Sequence, residues 1–522
     1  VQLIAGKFAR GKGWHGFIIF AILFLFISHL TGITALIPLP PQGVHIWRQT
    51  DCLSITLNYF NGNATFAEPQ ILNLLADGGT TGKSAGEFPL LYFCVAQLWK
   101  ITGQSETAYR LIMLLLTFTG LFALFRITSS ITGNITWSLF TALLPLTFPV
   151  FATYSVSFLP NIPAIALTLT GWYMLLLCIK GRGDYFLWIS ALLMTTGMLL
   201  KISAGISLLT VILYILTERL FVRNDQRIFK QTWKEIFPFA AGVLAVAAWY
   251  LWAGRYNTVH GGSYTFNSVW PVWELSAGEI NERLAAARAI WRNQVMAEWL
   301  LVISLILWIT AVILIKKLPL MLRFMLLVIP AGTIAYLLLW FQGLRDHDYY
   351  YAEIYIPVLL SWIGILTILK NSGPISKAVI NTLLAAVLIM SALNCREMMN
   401  ERRDGWMNSW YRENLEAIYI AGREMNSLRI PPDAIVISIP DPSINSSLYF
   451  IGRRGFTDYG NNFNDPDDFA RAITKGAEYL VVNDSSILNN GQLSNYTRYP
   501  YASFRNLRVF DLRPYTRTDI SY

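Results

Sequence analysis

Residues 158–179 read FLPNIPAIALTLTGWYMLLLCI, a stretch without one charged side chain. As a helix rising about 1.5 Å per residue, such a stretch crosses the roughly 30 Å of hydrocarbon in a bilayer. Comparable runs fall at about 17–36, 108–127, 135–153, 185–200, 203–221, 236–254, 297–315, 320–341, 352–369 and 375–394, which makes about eleven candidate transmembrane helices. The run at 185–200 is short, and only Lys201 and Ile202 part it from the next. Continuous runs of this length exclude a membrane β-barrel, whose strands are short and alternating. Residues 88–101 (FPLLYFCVAQLWKI) are apolar but too short to span, and read as an interfacial or re-entrant helix.

Composition agrees. Of 522 residues, 54% are hydrophobic and 14% charged, and the mean hydropathy is +0.44. A soluble domain carries about a quarter charged residues, so one aqueous core could not hide this much apolar surface. Many aromatic rings sit at the ends of the apolar runs, where a bilayer interface holds them. Cys52, Cys94, Cys178 and Cys395 show no CxxC spacing and give no zinc or redox signature.

The net charge of +9 is a topology signal rather than a nucleic-acid footprint. With the N-terminus inside, the short cytoplasmic connections hold Lys7, Arg10 and Lys12; Arg126; Lys180 and Arg182; Arg219, Arg223, Arg227, Lys230 and Lys234; Lys316, Lys317 and Arg323; and Lys370 and Lys377. That bias is the positive-inside pattern. The first run reads as a retained helix, since no small-residue cleavage site follows it.

This N-in, C-out arrangement divides the chain into a transmembrane part, residues 1–394, and an extracytoplasmic α/β domain, residues 395–522. Outer loops cover about 37–107 and 255–296. In the tail, 408–427 has the pattern of an amphipathic helix and Ala434–Ile439 that of a buried strand. Asp465-Pro466 opens a helix, and Tyr479–Val482 and Leu507–Leu512 are further strands. Arg453-Arg454 reads as a solvated turn.

Ionisable residues near a bilayer are costly and point to function. The first outer loop holds His45-Ile-Trp47-Arg48-Gln49-Thr-Asp51, set among apolar and aromatic neighbours. It reads as a surface helix with Asp51 facing a cavity. The structural alternative is an Arg48–Asp51 ion pair three residues apart. Glu87 precedes Phe88-Pro89, and the proline holds Phe88 out of helical geometry. Glu106 and Arg110 open the next helix at i,i+4 spacing, and with Ser105 as N-cap Glu106 reads as a capping-region acid rather than a catalyst. Lys201 lies between two short helices, placed either to snorkel or to bind phosphate. Arg345-Asp-His347-Asp-Tyr349-Tyr350-Tyr is dense in donors. Asp346, His347 and Asp348 are adjacent and would diverge, a poor metal site. Asn63, Asn134, Asn445 and Asn495 open Asn-X-Ser/Thr triplets, which arise by chance.

In order and loop placement, WRQTD (47–51), EFPLLY (87–92), ETAYRL (106–111), LLKISAG (199–205) and RDHDYYYAEIYIP (345–357) resemble the GT-C glycosyltransferases. The resemblance is to bacterial relatives of the protein O-mannosyltransferases and of the lipid A aminoarabinose transferase. It implies a polytopic α-helical enzyme of the bacterial inner membrane whose active site faces the exterior. An acid in the first outer loop is catalytic in that family, and Asp51 stands at the matching position. Relatives carry a basic residue or His before Pro-Pro-Leu; here Glu87 stands before Phe88-Pro89-Leu90, fit to assist the base or bind the acceptor. Oligosaccharyltransferases of the superfamily hold a divalent metal with acids in the region matching SVSFLPNIP (155–163), which has Asn161 and no carboxylate. That departure implies a metal-independent, cofactor-free enzyme moving one sugar.

The implied reaction takes a monosaccharide from a polyprenyl-phosphate donor to an acceptor hydroxyl of a glycan, lipid or protein, with inversion. Asp51 acts as general base. Arg48, Lys201, Arg345, His347, Tyr349 and Tyr350 meet the donor phosphate, and His45, Trp47, Gln49, Glu106 and Arg110 the acceptor or sugar. A lipid-linked glycan flippase would show paired, interrupted halves, and no repeat is evident. A polysaccharide ligase or polymerase would centre on an Arg- and His-rich outer loop, whereas this loop centres on an acid. The tail carries no catalytic cluster and reads as a scaffold or acceptor-docking element.

Overall fold

Among the residues described by the computed structural model, 12–264, 268–424, 430–489 and 493–517, seven helices are long and apolar enough to cross a membrane. They are Glu106–Thr132, Asn161–Ile179, Ile202–Phe221, Thr232–Val259, Leu320–Leu339, Asp348–Leu369 and Pro374–Asn414. The other expected runs form shorter apolar helices, Trp14–Leu30, Ile135–Thr147, Tyr185–Leu200 and Glu298–Ile313, and the expected non-spanning helix is Leu90–Thr102. Lys7 and Arg10 of the expected cytoplasmic terminus lie outside the described residues, as do positions 425–427.

The run at 135–153 is not one helix. It breaks into Ile135–Leu143, a 3-10 turn at Leu144–Thr147, and Pro149–Tyr154. Pro145 and Pro149 each remove a backbone donor, which stops an α-helix continuing. The Thr147 hydroxyl donates to the Leu144 carbonyl at 2.7 Å and meets Ser391 Oγ at 2.7 Å, so the break is internally satisfied.

Residues 1–39, 107–249 and 268–400 make one compact unit. Its helices point apolar side chains outward as well as inward: Leu244 is 70% exposed and Ile313 75%. Water would penalise such a surface and lipid does not. Small residues let helices approach where the packing is tightest. A Cβ on Gly171 would come within 2.7 Å of Met194 Cγ, and one on Gly197 within 3.0 Å of the Ala164 carbonyl, the close approach that membrane helix pairs use. Polar groups inside pair in places, as in Trp362 Nε1 to Ser304 Oγ at 3.0 Å and Ser190 Oγ to the Gly171 carbonyl at 2.8 Å.

Residues 40–106, 250–267 and 401–522 make the second unit. A five-stranded sheet lies in it, built from β1 (Ile435–Ile439), β2 (Arg454–Thr457), β3 (Ala477–Val482), β4 (Pro500–Phe504) and β5 (Leu507–Asp511), in the order β2-β1-β3-β5-β4. β1 is parallel to β2 and β3; β5 is antiparallel to β3 and β4. The helices Ser446–Ile451 and Pro466–Thr474 make the two crossovers, as parallel strands require. Asp465 caps the second in a capping box with Asp468, with proline at the first turn. Ile437, Ile439, Phe456, Phe469, Leu480, Val482 and Leu512 form the core, and Leu74 of the loop at 37–107 joins them.

Three local expectations change. The helix expected at 408–427 is two, Ser409–Asn414 and Glu416–Glu424. β4 was not anticipated. Arg454 is not in a solvated turn: it opens β2, and its guanidinium donates to the Thr81 carbonyl. β2 is also extended by that loop, with the Gly455 N–H donating to the Leu72 carbonyl at 3.1 Å. A Cβ at Gly455 would fall 1.8 Å from the Val436 carbonyl oxygen. Backbone on both sides cannot yield, so Gly455→Ala is expected to cost about 3 kcal/mol. A thermal melt of the purified protein would read this as a midpoint several degrees lower.

Candidate active site

The helix Ile46–Asn61 begins at His45, a non-glycine residue at φ 56, and is followed by Gly62 at φ 79. One face is committed to structure. Gln49, 2% exposed, donates its amide to the carbonyls of Gln42 (2.9 Å) and Val44 (3.1 Å), fastening the preceding loop. Thr50 meets Ser446 Oγ at 2.9 Å. Trp47 points outward, 41% exposed, with its edge on Trp410 at 5.8 Å.

Asp51 is half-buried on this helix. Asn445 Nδ2 donates to its Oδ1 at 2.8 Å. Among the described residues no donor reaches its Oδ2. Desolvation is the largest influence and raises the carboxyl to about 6, against the pull of Arg48 and the Asn445 hydrogen bond; Glu87 and Asp441 add to the rise. A carboxyl in that range is a carboxylate at neutral pH and a stronger base than an exposed aspartate.

The Arg48–Asp51 pair considered from spacing does not describe where Arg48 goes. Its guanidinium donates to Glu87 Oε1, and the Tyr92 hydroxyl donates to the same oxygen at 2.6 Å. Arg48, Glu87 and Asp51 therefore form one electrostatic group, joined through the helix Leu90–Thr102 that begins just after Pro89. Glu87 draws Arg48 to itself and raises Asp51. Glu87→Gln keeps an acceptor for Arg48 and Tyr92 but removes the charge, so the Asp51 carboxyl is expected to titrate below its value of about 6. Carbodiimide labelling of Asp51 across pH, read by peptide mass spectrometry, measures that midpoint. An unmoved midpoint would break the proposed coupling.

Asp441 at the end of β1 is a second buried acid, likewise raised to about 6 by burial against its hydrogen bonds. Both of its oxygens are committed: Oδ1 accepts from Ser443 N (2.9 Å) and Oγ (2.6 Å), and Oδ2 from Ser447 N at 2.7 Å. It builds the loop that carries Asn445. Asp51 is thus the acid with an oxygen to offer.

Of the remaining expected residues, Glu106 accepts from the buried Tyr449 hydroxyl at 3.0 Å. Arg110, 3% exposed, gives Nε to the Leu39 carbonyl (3.1 Å) and Nη1 to that of Val156 (2.7 Å), with its guanidinium over the Phe158 ring.

The first unit holds the other group. Lys201 follows the helix Tyr185–Leu200 in extended geometry, and its Nζ lies 5.7 Å from the Tyr349 ring centroid and 5.0 Å from that of Tyr350. His347 stacks on Tyr349 at 5.2 Å and meets Tyr350 edge-on at 5.5 Å. Buried Asp348 accepts from Tyr154 at 2.6 Å, and Asn161 donates to the Tyr349 carbonyl at 3.3 Å. Arg345 is half-exposed and pairs with Asp346 at 3.1 Å. As the adjacent positions imply, Asp346 and Asp348 serve different partners. Sequence reasoning missed Glu353, 3% exposed, which accepts from Ser203 Oγ at 2.6 Å within reach of the Lys201 charge.

Comparison with known proteins follows the same lines. The dolichyl-phosphate-mannose-protein mannosyltransferase family matches residues 86–252, a range that contains Glu87, Glu106, Arg110 and Lys201. No curated protein sequence matches the chain significantly. The crystal structure of ArnT from Cupriavidus metallidurans in the apo state superposes with a TM-score of 0.61 at 12% identity, covering 96% of this chain and 98% of that one. The same protein bound to undecaprenyl phosphate gives 0.60 at 13%, covering 94% and 97%. The oligosaccharyltransferase AglB of Archaeoglobus fulgidus, in complex with an inhibitory peptide and a dolichol-phosphate, gives 0.53 at 10%, covering 92% and 70%. The chain is a multi-pass membrane protein with the fold of the GT-C superfamily glycosyltransferases.

Proposed function

We propose that this protein transfers a monosaccharide from a polyprenyl-phosphate carrier to an acceptor hydroxyl on the non-cytoplasmic face of a bacterial inner membrane. The observation that carries the reading is Asp51. It is a carboxyl raised to about 6 by burial, with one oxygen anchored and the other open, on a helix of the first outer loop. The donor class is supported by the GT-C fold, by the matching family's dolichyl-phosphate-mannose specificity, and by the undecaprenyl phosphate bound to ArnT.

Asp51 Oδ2 takes the acceptor's hydroxyl proton. The acceptor oxygen forms its bond to the anomeric carbon from the face opposite the phosphate, and the bond from that carbon to the phosphate oxygen breaks. The electron pair leaves with the polyprenyl phosphate, so the anomeric centre inverts. Lys201, with the Tyr349 and Tyr350 hydroxyls and His347, supplies positive charge and donors to the leaving phosphate. Arg345 on the exposed edge of the same segment adds charge. Arg48, steered by Glu87, balances the carboxylate of the base, and Trp47 and His45 offer a surface to the acceptor. Fixed cations suit a leaving group with a single phosphate, so the proposal assigns no step to a metal.

The test supplies the purified protein in nanodiscs with a panel of radiolabelled polyprenyl-phosphate monosaccharides. Water is a slow acceptor, so release of free sugar reports donor use before the acceptor is known. Release from at least one donor, with an inverted anomeric product, is expected. If donors bind and none is turned over even with acceptor extracts, the transferase reading fails in favour of a lipid-linked glycan transporter.

A further inference from the structure

Asn445 and Asp51 are separated by 394 positions, yet they meet at the oxygen that decides how the carboxylate is turned. Asn445 sits in the loop Asp441–Ser446 that leaves β1. Five hydrogen bonds hold that loop. The Asp441 carboxylate takes the Ser443 and Ser447 N–H groups at 2.9 and 2.7 Å. The Asp441 N–H donates to Asp458 at 2.5 Å, the Thr457 hydroxyl donates to the Ser443 carbonyl at 2.8 Å, and Asn73 Nδ2 donates to the Ile444 carbonyl at 2.9 Å. The Asn445 side chain, 1% exposed, is itself oriented. Its Oδ1 accepts the Asn73 N–H at 3.0 Å. An amide oxygen held by a donor leaves the NH₂ for the other side, and that side faces Asp51.

We propose that Asn445 is the positioning residue of the base: its amide pins Asp51 Oδ1 so that Oδ2 alone meets the acceptor proton. The proposal rests on the reading of Asp51 as the base, and it gives the C-terminal α/β segment a part in the chemistry beyond docking. A carboxylate free to rotate about its Cβ–Cγ bond presents either oxygen at many angles. A single charge-assisted hydrogen bond from a rigid loop selects one arrangement. The other groups that act on Asp51 are Arg48 on its own helix, Glu87 ahead of the neighbouring helix, and Asp441 in the Asn445 loop. The Tyr459 hydroxyl also lies within electrostatic reach of it.

Asn445→Asp is the informative variant. It has the same shape and still accepts the Asn73 N–H, but it donates nothing to Asp51 and sets a second carboxylate against it. Two carboxylates in contact raise one another's affinity for a proton. The Asp51 labelling midpoint is therefore expected to rise by about one pH unit or more. The acid limb of the transfer rate is expected to move with it, so that a one-unit rise from about 6 lowers turnover about twofold at pH 7 and about fivefold at pH 6 while KM for the lipid donor holds. Asn445→Ala removes the donor without adding charge, and is expected to move the limb upward by less. A protein merely loosened by these changes would melt earlier with its limb and midpoint in place, which would overturn the proposal. So would a wild-type limb and turnover in Asn445→Asp. Because labelling needs no turnover, the two readings separate. A shifted midpoint in a protein that transfers no sugar leaves the positioning intact and sinks the transferase, whereas an unmoved midpoint in an active enzyme does the reverse.

Discussion

Asp51→Asn is expected to lower sugar transfer about 10²- to 10⁴-fold, the usual worth of a positioned general base, with the fold and donor binding intact. The substitution is isosteric, and the new amide oxygen can still accept the Asn445 hydrogen bond that holds Oδ1 at 2.8 Å. What disappears is the ability to take a proton. The pH dependence gives the sharper signature. In the wild type the rate depends on the ionised carboxylate, so it falls as pH drops through about 6, the value to which burial raises this group. Above that limb the rate levels off. The residual activity of Asp51→Asn should lack the limb, because no group with that role titrates. Full activity in the variant, or a limb that survives it, would remove Asp51 from the mechanism. Asp441 is no substitute, since Ser443 and Ser447 occupy both of its oxygens.

The membrane part was legible because uncharged runs of spanning length need no tertiary information: each is read where it stands. The break after Leu143 was visible in Pro145 and Pro149, but hydrophobicity continues across it and hides the change of geometry. β2 and β4 escaped because RGFT and PYASF are too short to show a period. Asp51 stood out through its neighbours, a charged cluster inside an apolar surface helix. Its partners did not. Arg48 lies three positions away and was weighed as the companion of Asp51, yet Glu87, 39 positions on, takes the guanidinium. Asn445 was visible only as the start of a chance Asn-Ser-Ser triplet. Its role depends on a loop built by Asp441 and anchored by Asn73, and no local pattern connects those residues to position 51. Glu353 was passed over for a related reason, because YYYAEIYIP reads as the entry to a span and the buried acid shows only once Ser203 is beside it.

Lys201→Ala is expected to reduce kcat about 10²- to 10³-fold, the range found when one fixed donor to a developing anion is removed. The lysine is placed where a helix ends. Its own N–H still reaches the Gly197 carbonyl at 2.9 Å, while the extended backbone after Leu200 directs the chain into the turn at Ile202–Ala204. The ammonium rests against Tyr349 and Tyr350, two rings that hold a cation without quenching its charge as a carboxylate would. A phosphate arriving there meets an ammonium already oriented. The competing account is that Lys201 balances buried Glu353 and matters only for folding. Removing one member of a buried charged pair strands the other and costs about 3–5 kcal/mol, so Lys201→Ala alone cannot separate the two. The double variant Lys201→Ala/Glu353→Gln does, because it removes both charges and should recover the thermal midpoint. If Lys201 serves the phosphate, the recovered protein stays slow, and Lys201→Arg, which keeps the charge but not its compact shape, regains part of the rate. If the double variant turns over like the wild type, the lysine is a counter-ion for Glu353, and the positive charge that receives the leaving phosphate must come from elsewhere in the chain.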